Sequence, residues 1–336
     1  LLSDYLTRRF GAGLVTAVSV LLTSLSLGAF ALSPSYVFLL FAAVPYGLGA
    51  GAIDAALNNY VALHFSARHM SWLHCFWGIG ASISPYIMSA CLAGPGWRYG
   101  YGTVAGLQII LTIFIFANVS LFKKSSHGEN AASDIVTLPK ALKIPGVLCM
   151  LLAFFSYCSA EMTAMLWSST YLVSVRGFDT TTAARFASLF FLGMTAGRFV
   201  CGFLTAKFSD KALIRRGLLT ATLGALMIIF SAKLKLLSLI GLVVVGLGCA
   251  PVYPSIIHST PDNFGRENSQ AIIGIQMASA YTGSAVMPSV FGFISSRLSL
   301  SVFPYFLIFF IILTIVMTEK LNHDVARNNK SAYTNN

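Results

Sequence analysis

The chain has 336 residues, 56% of them hydrophobic and only 10% charged, with a mean hydropathy of +0.77. A soluble domain carries about 25% charged residues, so a water-facing surface over most of the molecule is excluded and the lipid bilayer is the expected solvent. The 22 Lys+Arg against 11 Asp+Glu give a formal net charge of +11. These basic residues stand in short connections between apolar runs, with no basic stripe interleaved with aromatics, so nucleic acid is not an expected partner.

Charged and turn-rich borders mark ten apolar runs, at 13–33, 36–60, 70–93, 99–122, 145–173, 182–206, 213–232, 236–257, 268–295 and 301–318. Each is close to the roughly 20 residues that a helix needs to cross a bilayer. Ten spans put both termini on one side. Placing that side in the cytoplasm puts Arg8, Arg9, Arg68, Lys123, Lys124, Lys140, Lys143, Lys207, Lys211, Arg215, Arg216, Arg266, Lys320, Arg327 and Lys330 inside. The outside keeps Arg98, Arg176, Arg185, Lys233, Lys235 and Arg297, a bias that sets the orientation by the positive-inside rule. The longest connection, 123–144, is polar and divides the chain. The expected organisation is four spans in 1–122, a cytoplasmic linker 123–144, six spans in 145–319, and a cytoplasmic tail 320–336.

The six cysteines all lie in apolar runs, without a CxxC pair or a zinc-ligand partner at helical spacing. They read as small buried hydrophobes, and neither disulfide, metal nor other cofactor is expected. A phosphate-binding G-x-x-x-x-G-K-[ST] loop is missing from the sequence, as is a Ser–His–Asp arrangement. An enzyme is therefore not expected.

Ionisable residues inside a span cost about 2.5–3.5 kcal/mol each at the helix centre on insertion scales, so each needs a reason. Asp54 stands about 14 residues, or ~21 Å of helix, from Arg68. Glu161 stands about midway between Lys143 and Arg176. Both fall near mid-membrane and are the candidate proton-coupling groups, with an interhelical hydrogen bond as the structural alternative for Asp54. In GLGAGAIDAALNNY, the residues Gly47, Gly51, Asp54 and Asn58 share a helix face, where small residues permit close helix approach. In SWLHCFWGIGASISP, His74, Trp77, Gly78, Ala81 and Pro85 do the same. Asn58, His74, Trp77, Trp167 and Gln276 are the candidate solute-binding residues. For His74 an interhelical bond, for Trp77 space-filling, and for Gln276 structural glue are the competing roles. Arg198 either pairs with a carboxylate or snorkels toward the interface. Pro251 and Pro254 share one span, and a proline there frees a carbonyl and bends the rod.

The opening residues LLSDYLTRRFG resemble the major facilitator loop signature G-x-L-x-D-R-x-G-R-R, with Leu2, Asp4, Arg8 and Arg9 matching, while Tyr5 and Thr7 depart from it. A weaker copy runs through GRFVCGFLTAKFSDKALIRRG, where Gly202, Leu204, Lys207 and Lys211 fall in register and Ala206 takes the acidic place. The resemblance implies a charge latch in which Asp4, Arg8, Arg9 and Arg198 act as gate or salt-bridge residues; plain positive-inside loops are the alternative for the second copy. Taken with IDAALNNY, LHCFWGIGA, AEMTAMLWSSTYLV, PVYPSIIHSTP and MASAYTGSAVMPSVFGFI, the chain is similar to the fucose–galactose–glucose:proton symporter branch of that superfamily. In that branch a carboxylate precedes an Asn in the corresponding span, as Asp54 precedes Asn58. Where the branch has an Asn in its fifth span, this chain has Trp77.

The resemblance implies an all-α integral membrane protein with a major facilitator fold of about ten helices, lacking its first two, and hence an N-terminally truncated chain. It implies a secondary transporter of the cell membrane, both termini cytoplasmic, working as a monomer. The expected partners are a small polar solute, a proton or sodium ion, and the bilayer. Two other expectations stand beside proton-coupled uptake of a sugar-like solute: efflux by the same fold, because GIGASISP echoes the antiporter glycine–proline motif, and a non-transporting fragment.

Overall fold

The structure, a computed structural model, describes residues 3–122, 138–231 and 234–334, with side chains up to residue 327. Leu2, Lys123, Lys124, Lys233, most of the linker expected at 123–144, and the Lys330 side chain lie outside the described residues.

Among the described residues the chain is helical from end to end. The N-terminal half holds α1 (Ser3–Ala31), α2 (Tyr36–His64), α3 (Ala67–Leu92) and α4 (Trp97–Ala117), the last followed by a 3-10 turn, Val119–Leu121. The linker's described end is the short α5 (Leu138–Leu142). The C-terminal half holds α6 (Val147–Ser174), α7 (Thr180–Leu204), α8 (Asp210–Ile229), α9 (Lys235–Cys249), α10 (Val252–His258), α11 (Thr260–Phe264), α12 (Ser269–Arg297) and α13 (Phe303–Thr334). The stretch 320–334, expected as a tail, continues the last helix.

Local chemistry sets these boundaries. Gly11 has φ 80° and ψ 154°, a backbone state open to a residue without Cβ, and it separates a short helical segment at 3–10 from the apolar run. Ser35 caps α2 by accepting the Phe38 N–H at 3.3 Å, and Ser209 caps α8 through Ala212. Asp179 caps α7 by accepting the Thr182 N–H at 2.9 Å, and hydrogen bonding from the Thr182 side chain, with this N–H second, holds its carboxyl below the usual range. The span expected at 236–257 is two helices, because Pro251 cannot continue the ladder of α9 and the rod breaks at Ala250–Pro251.

Among the described residues, nine spans are long and apolar enough to cross a membrane. The tenth expected span corresponds to α12, 29 residues long, which falls short in apolarity because Gln270, Gln276, Ser279, Tyr281, Thr282 and Ser284 interrupt it. α12 turns much of that polarity inward. It packs along α6 in its own half and touches α2 in the other.

The core of the C-terminal half is α6, flanked by α12, α13 and α7, with α8 pressed on α9 and α7 on α9. In the N-terminal half α1 packs between α2 and α4. Across the halves α3 runs along α7 and α2 meets α12, while α10 touches both α2 and α3. Close approach along α3 and α7 depends on two glycines. A Cβ at Gly78 would stand 2.2 Å from Thr195 Oγ1, and one at Gly202 would stand 2.3 Å from the Trp72 indole nitrogen.

Candidate functional site

Two polar clusters stand where the halves face each other. In the first, Tyr281 of α12 donates its hydroxyl to the carboxylate of Asp54 on α2. One turn on, Asn58 is buried and its Oδ1 has no hydrogen-bond partner among the described residues. The close helix approach expected at Gly47 and Gly51 is not found: nothing lies within 4 Å of where a Cβ would stand at either. Gly49, on another face, makes the approach instead, with the Ser19 carbonyl of α1 at 2.8 Å from its built Cβ.

The second cluster is built around Glu161 of α6. Arg198 of α7 donates Nη2–H to its Oε1 at 3.1 Å, and both side chains are almost fully buried, 3% exposed for the arginine and 8% for the glutamate. A buried pair of this kind costs desolvation on both sides, and each charge depends on the other to be tolerated. Arg198 also reaches across the halves, donating to the His74 carbonyl of α3 at 3.4 Å. The guanidinium lies 5.4 Å from the Trp77 ring, a cation–π contact. Of the two roles open to Arg198 it takes the carboxylate partner, and it does not snorkel.

His74 is a central residue. Its ring meets Tyr253 edge-on at 4.7 Å, and Nε2 is buried without a hydrogen-bond partner among the described residues. Trp77 is half-exposed and stacks on Phe191 of α7 at 5.8 Å. The structure therefore brings Glu161, Arg198, His74 and Trp77 together, with Asp54 and Asn58 in the neighbouring cluster. Asp54 and Glu161 are not locked to each other.

Two expected solute contacts stand elsewhere. Gln276 is fully buried inside the C-terminal half and accepts from the Thr260 hydroxyl at 3.2 Å. Trp167 donates its indole N–H to the Pro288 carbonyl at 3.0 Å and packs edge-on against Phe291. Both bonds tie elements of the C-terminal half together, while the buried Gln276 Nε2 has no hydrogen-bond partner among the described residues.

Sequence reasoning passed over Tyr281 and Tyr253. Tyr253 lies between the two clusters, its hydroxyl 3.4 Å from Met277 Sδ and its ring against His74 and Phe154. The usable signals were its place between Pro251 and Pro254, and Tyr281 as the one tyrosine of α12.

At one end of the bundle, hydrogen bonds close the halves together. Arg8 Nε donates to Asp4 at 2.8 Å, and its Nη2 donates to the Glu267 carbonyl at 3.2 Å. Arg266 donates to the Leu63 carbonyl at 2.8 Å, Ser269 to Asn59 Oδ1 at 2.7 Å, and Gln270 to Ser3 at 3.3 Å. The ion pair at this end is Asp4 with Arg8, one turn apart on α1. Arg9 is a correction: it bonds the Tyr5 hydroxyl at 2.6 Å and lies over Phe10, because one residue further along the helix turns it about 100° away from Arg8. In the second copy Ala206 has no carboxylate to offer; four residues on, Asp210 accepts from His258 at 2.6 Å. Toward the opposite end Phe41 of α2 and Tyr86 of α3 stand exposed.

The Major Facilitator Superfamily model matches residues 1–235 and, overlapping, 186–331. The chain belongs to the Major Facilitator Superfamily. Among similar superfamily transporters of known structure is the E. coli fucose:proton symporter, which superposes with a TM-score of 0.79 over 95% of this chain and 86% of that one at 16% identity. The Bypass of stop codon protein 6 of Saccharomyces cerevisiae is 23% identical over 90% of this chain and 67% of its own length. The Hexuronate transporter of Bacillus subtilis is 24% identical over 85% and 73%. This superfamily member is thus a multi-pass membrane transporter in fold, resembling the fucose-symporter branch.

Proposed function

We propose that this superfamily transporter imports a small polar solute, a sugar or sugar-like compound, together with protons by alternating access, with its termini in the cytoplasm of a plasma membrane. The observation that carries the reading is the Asp54–Tyr281 bond, a carboxylate of one half held by a hydroxyl of the other. A proton on Asp54 removes the charge that Tyr281 satisfies and lowers the cost of exposing that face to a dry interior. The contact between halves is then free to change when solute and proton are bound together. Asn58, His74 and Trp77 stand beside this route with unpartnered or half-exposed groups. With the latched end cytoplasmic, the arrangement corresponds to an outward-facing state. The kinship with a hexuronate transporter and the shared fold with a fucose:proton symporter support a sugar-like solute.

The test is uptake in proteoliposomes. Asp54→Asn and Glu161→Gln should each abolish accumulation driven by an acid-outside gradient, while membrane insertion and detergent monodispersity stay as in the parent. Replacing sodium with choline should leave parent uptake unchanged. Full accumulation in both variants refutes proton coupling through these acids.

A further inference from the structure

Arg198 has more donors than its surroundings use. A guanidinium offers five N–H groups in a planar fork matched to a carboxylate. Here Nη2 makes one contact with a single Glu161 oxygen, the Tyr157 hydroxyl stands beside the pair, Nη1 makes a long contact to a backbone carbonyl, and Nε, buried, has no partner among the described residues. The two-point geometry that an arginine and a carboxylate favour is therefore unfilled. Just beside it the buried His74 Nε2 is also without a partner. Over the guanidinium lies Trp77, 51% exposed, so a flat apolar wall borders the same place.

Charge bookkeeping narrows the solute. If Glu161 takes a proton during transport, Arg198 is left as a buried cation, which is strongly unfavourable without another anion. A neutral sugar cannot supply one, whereas a solute carboxylate can. Resting on the transporter reading above, we propose that the Arg198 guanidinium is the seat of a solute carboxylate, that Glu161 fills this seat in the solute-free molecule, and that the solute is a small organic monoanion of the sugar-acid class. Binding then exchanges one carboxylate for another. The proton goes to Glu161, its ion pair with Arg198 breaks, the solute carboxylate forms the new pair, and the site's net charge is the same before and after. Trp77 and His74 receive the body of the solute. Besides Arg198, the titratable groups around Glu161 are Tyr157 and Cys158 of α6, Cys249 of α9 and Tyr253 of α10, with His74 of α3 on the far side of Arg198.

The test compares D-glucuronate with D-glucose, which differ at one carbon, by calorimetry on the detergent-purified full chain and by proteoliposome uptake. For the parent protein, glucuronate affinity should rise as pH falls from about 8 to about 5.5, approaching tenfold per pH unit where one linked proton is taken up. Glucose should neither bind nor compete. That slope should persist in Asp54→Asn, which isolates Glu161 from the other acid. In Glu161→Gln the internal competitor is gone, so glucuronate should bind about tenfold tighter at pH 8, within the usual range for coupled sites, and without pH dependence. Arg198→Gln should remove glucuronate binding. The parent slope needs no variant and so stays informative if either substitution fails to fold. A pH-independent glucuronate affinity in the parent overturns the inference. Proton-driven accumulation of glucose with glucuronate ignored also overturns it and leaves the transporter reading standing. If neither compound binds or is accumulated, the inference falls together with the sugar-like solute.

Discussion

Arg198 is held by a carboxylate from α6, a backbone carbonyl from α3 and an indole from α3, all around a side chain only 3% exposed. Removing one charge of a buried pair costs about 3–5 kcal/mol, whereas replacing both with apolar groups of similar size is close to neutral. Arg198→Met should therefore lower the thermal unfolding midpoint in detergent. The double variant Arg198→Met with Glu161→Met should recover most of the loss without recovering transport. Additive losses in the double variant would show that the two charges do not depend on each other. At this scale much of the site could be read from the chain. Asp54 and Glu161 stand out because a charge in an apolar run is expensive, and Arg198 follows as the cation available to answer one of them. Partner identity was less legible. Tyr281 and Tyr253 look like ordinary interfacial aromatics, and only folding shows that one hydroxyl meets Asp54. Gln276 and Trp167 have the polar atoms of solute contacts, yet Thr260, 16 residues before Gln276, takes its side-chain oxygen, and the Pro288 carbonyl, 121 residues from Trp167, takes the indole N–H.

Most element bounds follow from hydropathy and punctuation to within a few residues, but α1 begins at Ser3 ahead of the expected 13 and α13 runs to Thr334 past the expected 318. α12 falls short in apolarity because polar side chains stand along it, several of them turned to neighbouring helices: Ser279 donates to the Leu151 carbonyl of α6 at 2.9 Å, Tyr281 to Asp54 of α2, and Gln276 accepts from Thr260 of α11. The break between α9 and α10 was visible as a pair of prolines. Helix-on-helix approach was not, since a glycine marks a close contact only if a neighbour happens to be there. Gly47 and Gly51 face open space, whereas a Cβ at Gly248 would stand 2.3 Å from the Ala221 backbone nitrogen of α8. Backbone cannot move aside as a side-chain tip can. Gly248→Ala should thus cost about 1–3 kcal/mol by overpacking, read as a lower unfolding midpoint. Gly106→Ala, where nothing lies within 4 Å of the added carbon, should be tolerated. Equal effects at the two positions would contradict the α8–α9 packing described.

For the whole molecule the decisive geometry is the latched end. Asn59 and Ser269 stand on opposite halves with their side-chain oxygens 2.7 Å apart. Asn59→Cys with Ser269→Cys should form a disulfide under mild oxidation, stop uptake, and release it again on reduction. Continued uptake with the bond fully formed would mean that this end does not open during transport. The six native cysteines are free and five of them are buried, so the engineered pair should dominate the reaction. The two-half plan was legible from the polar stretch after the fourth span, but which end is shut was not, because that depends on contacts between residues some 200 or more positions apart, such as Leu63 with Arg266 and Ser3 with Gln270.

The α3–α7 seam has a mechanical consequence. Gly78 against Thr195 and Gly202 against Trp72 bring these two helices together at two heights, where neither glycine leaves room for a side chain that would part the seam. Spin labels placed across the seam should report nearly constant separations throughout the cycle. Labels placed across α2 and α12, away from this seam, should swing through larger distances as the two mouths open in turn.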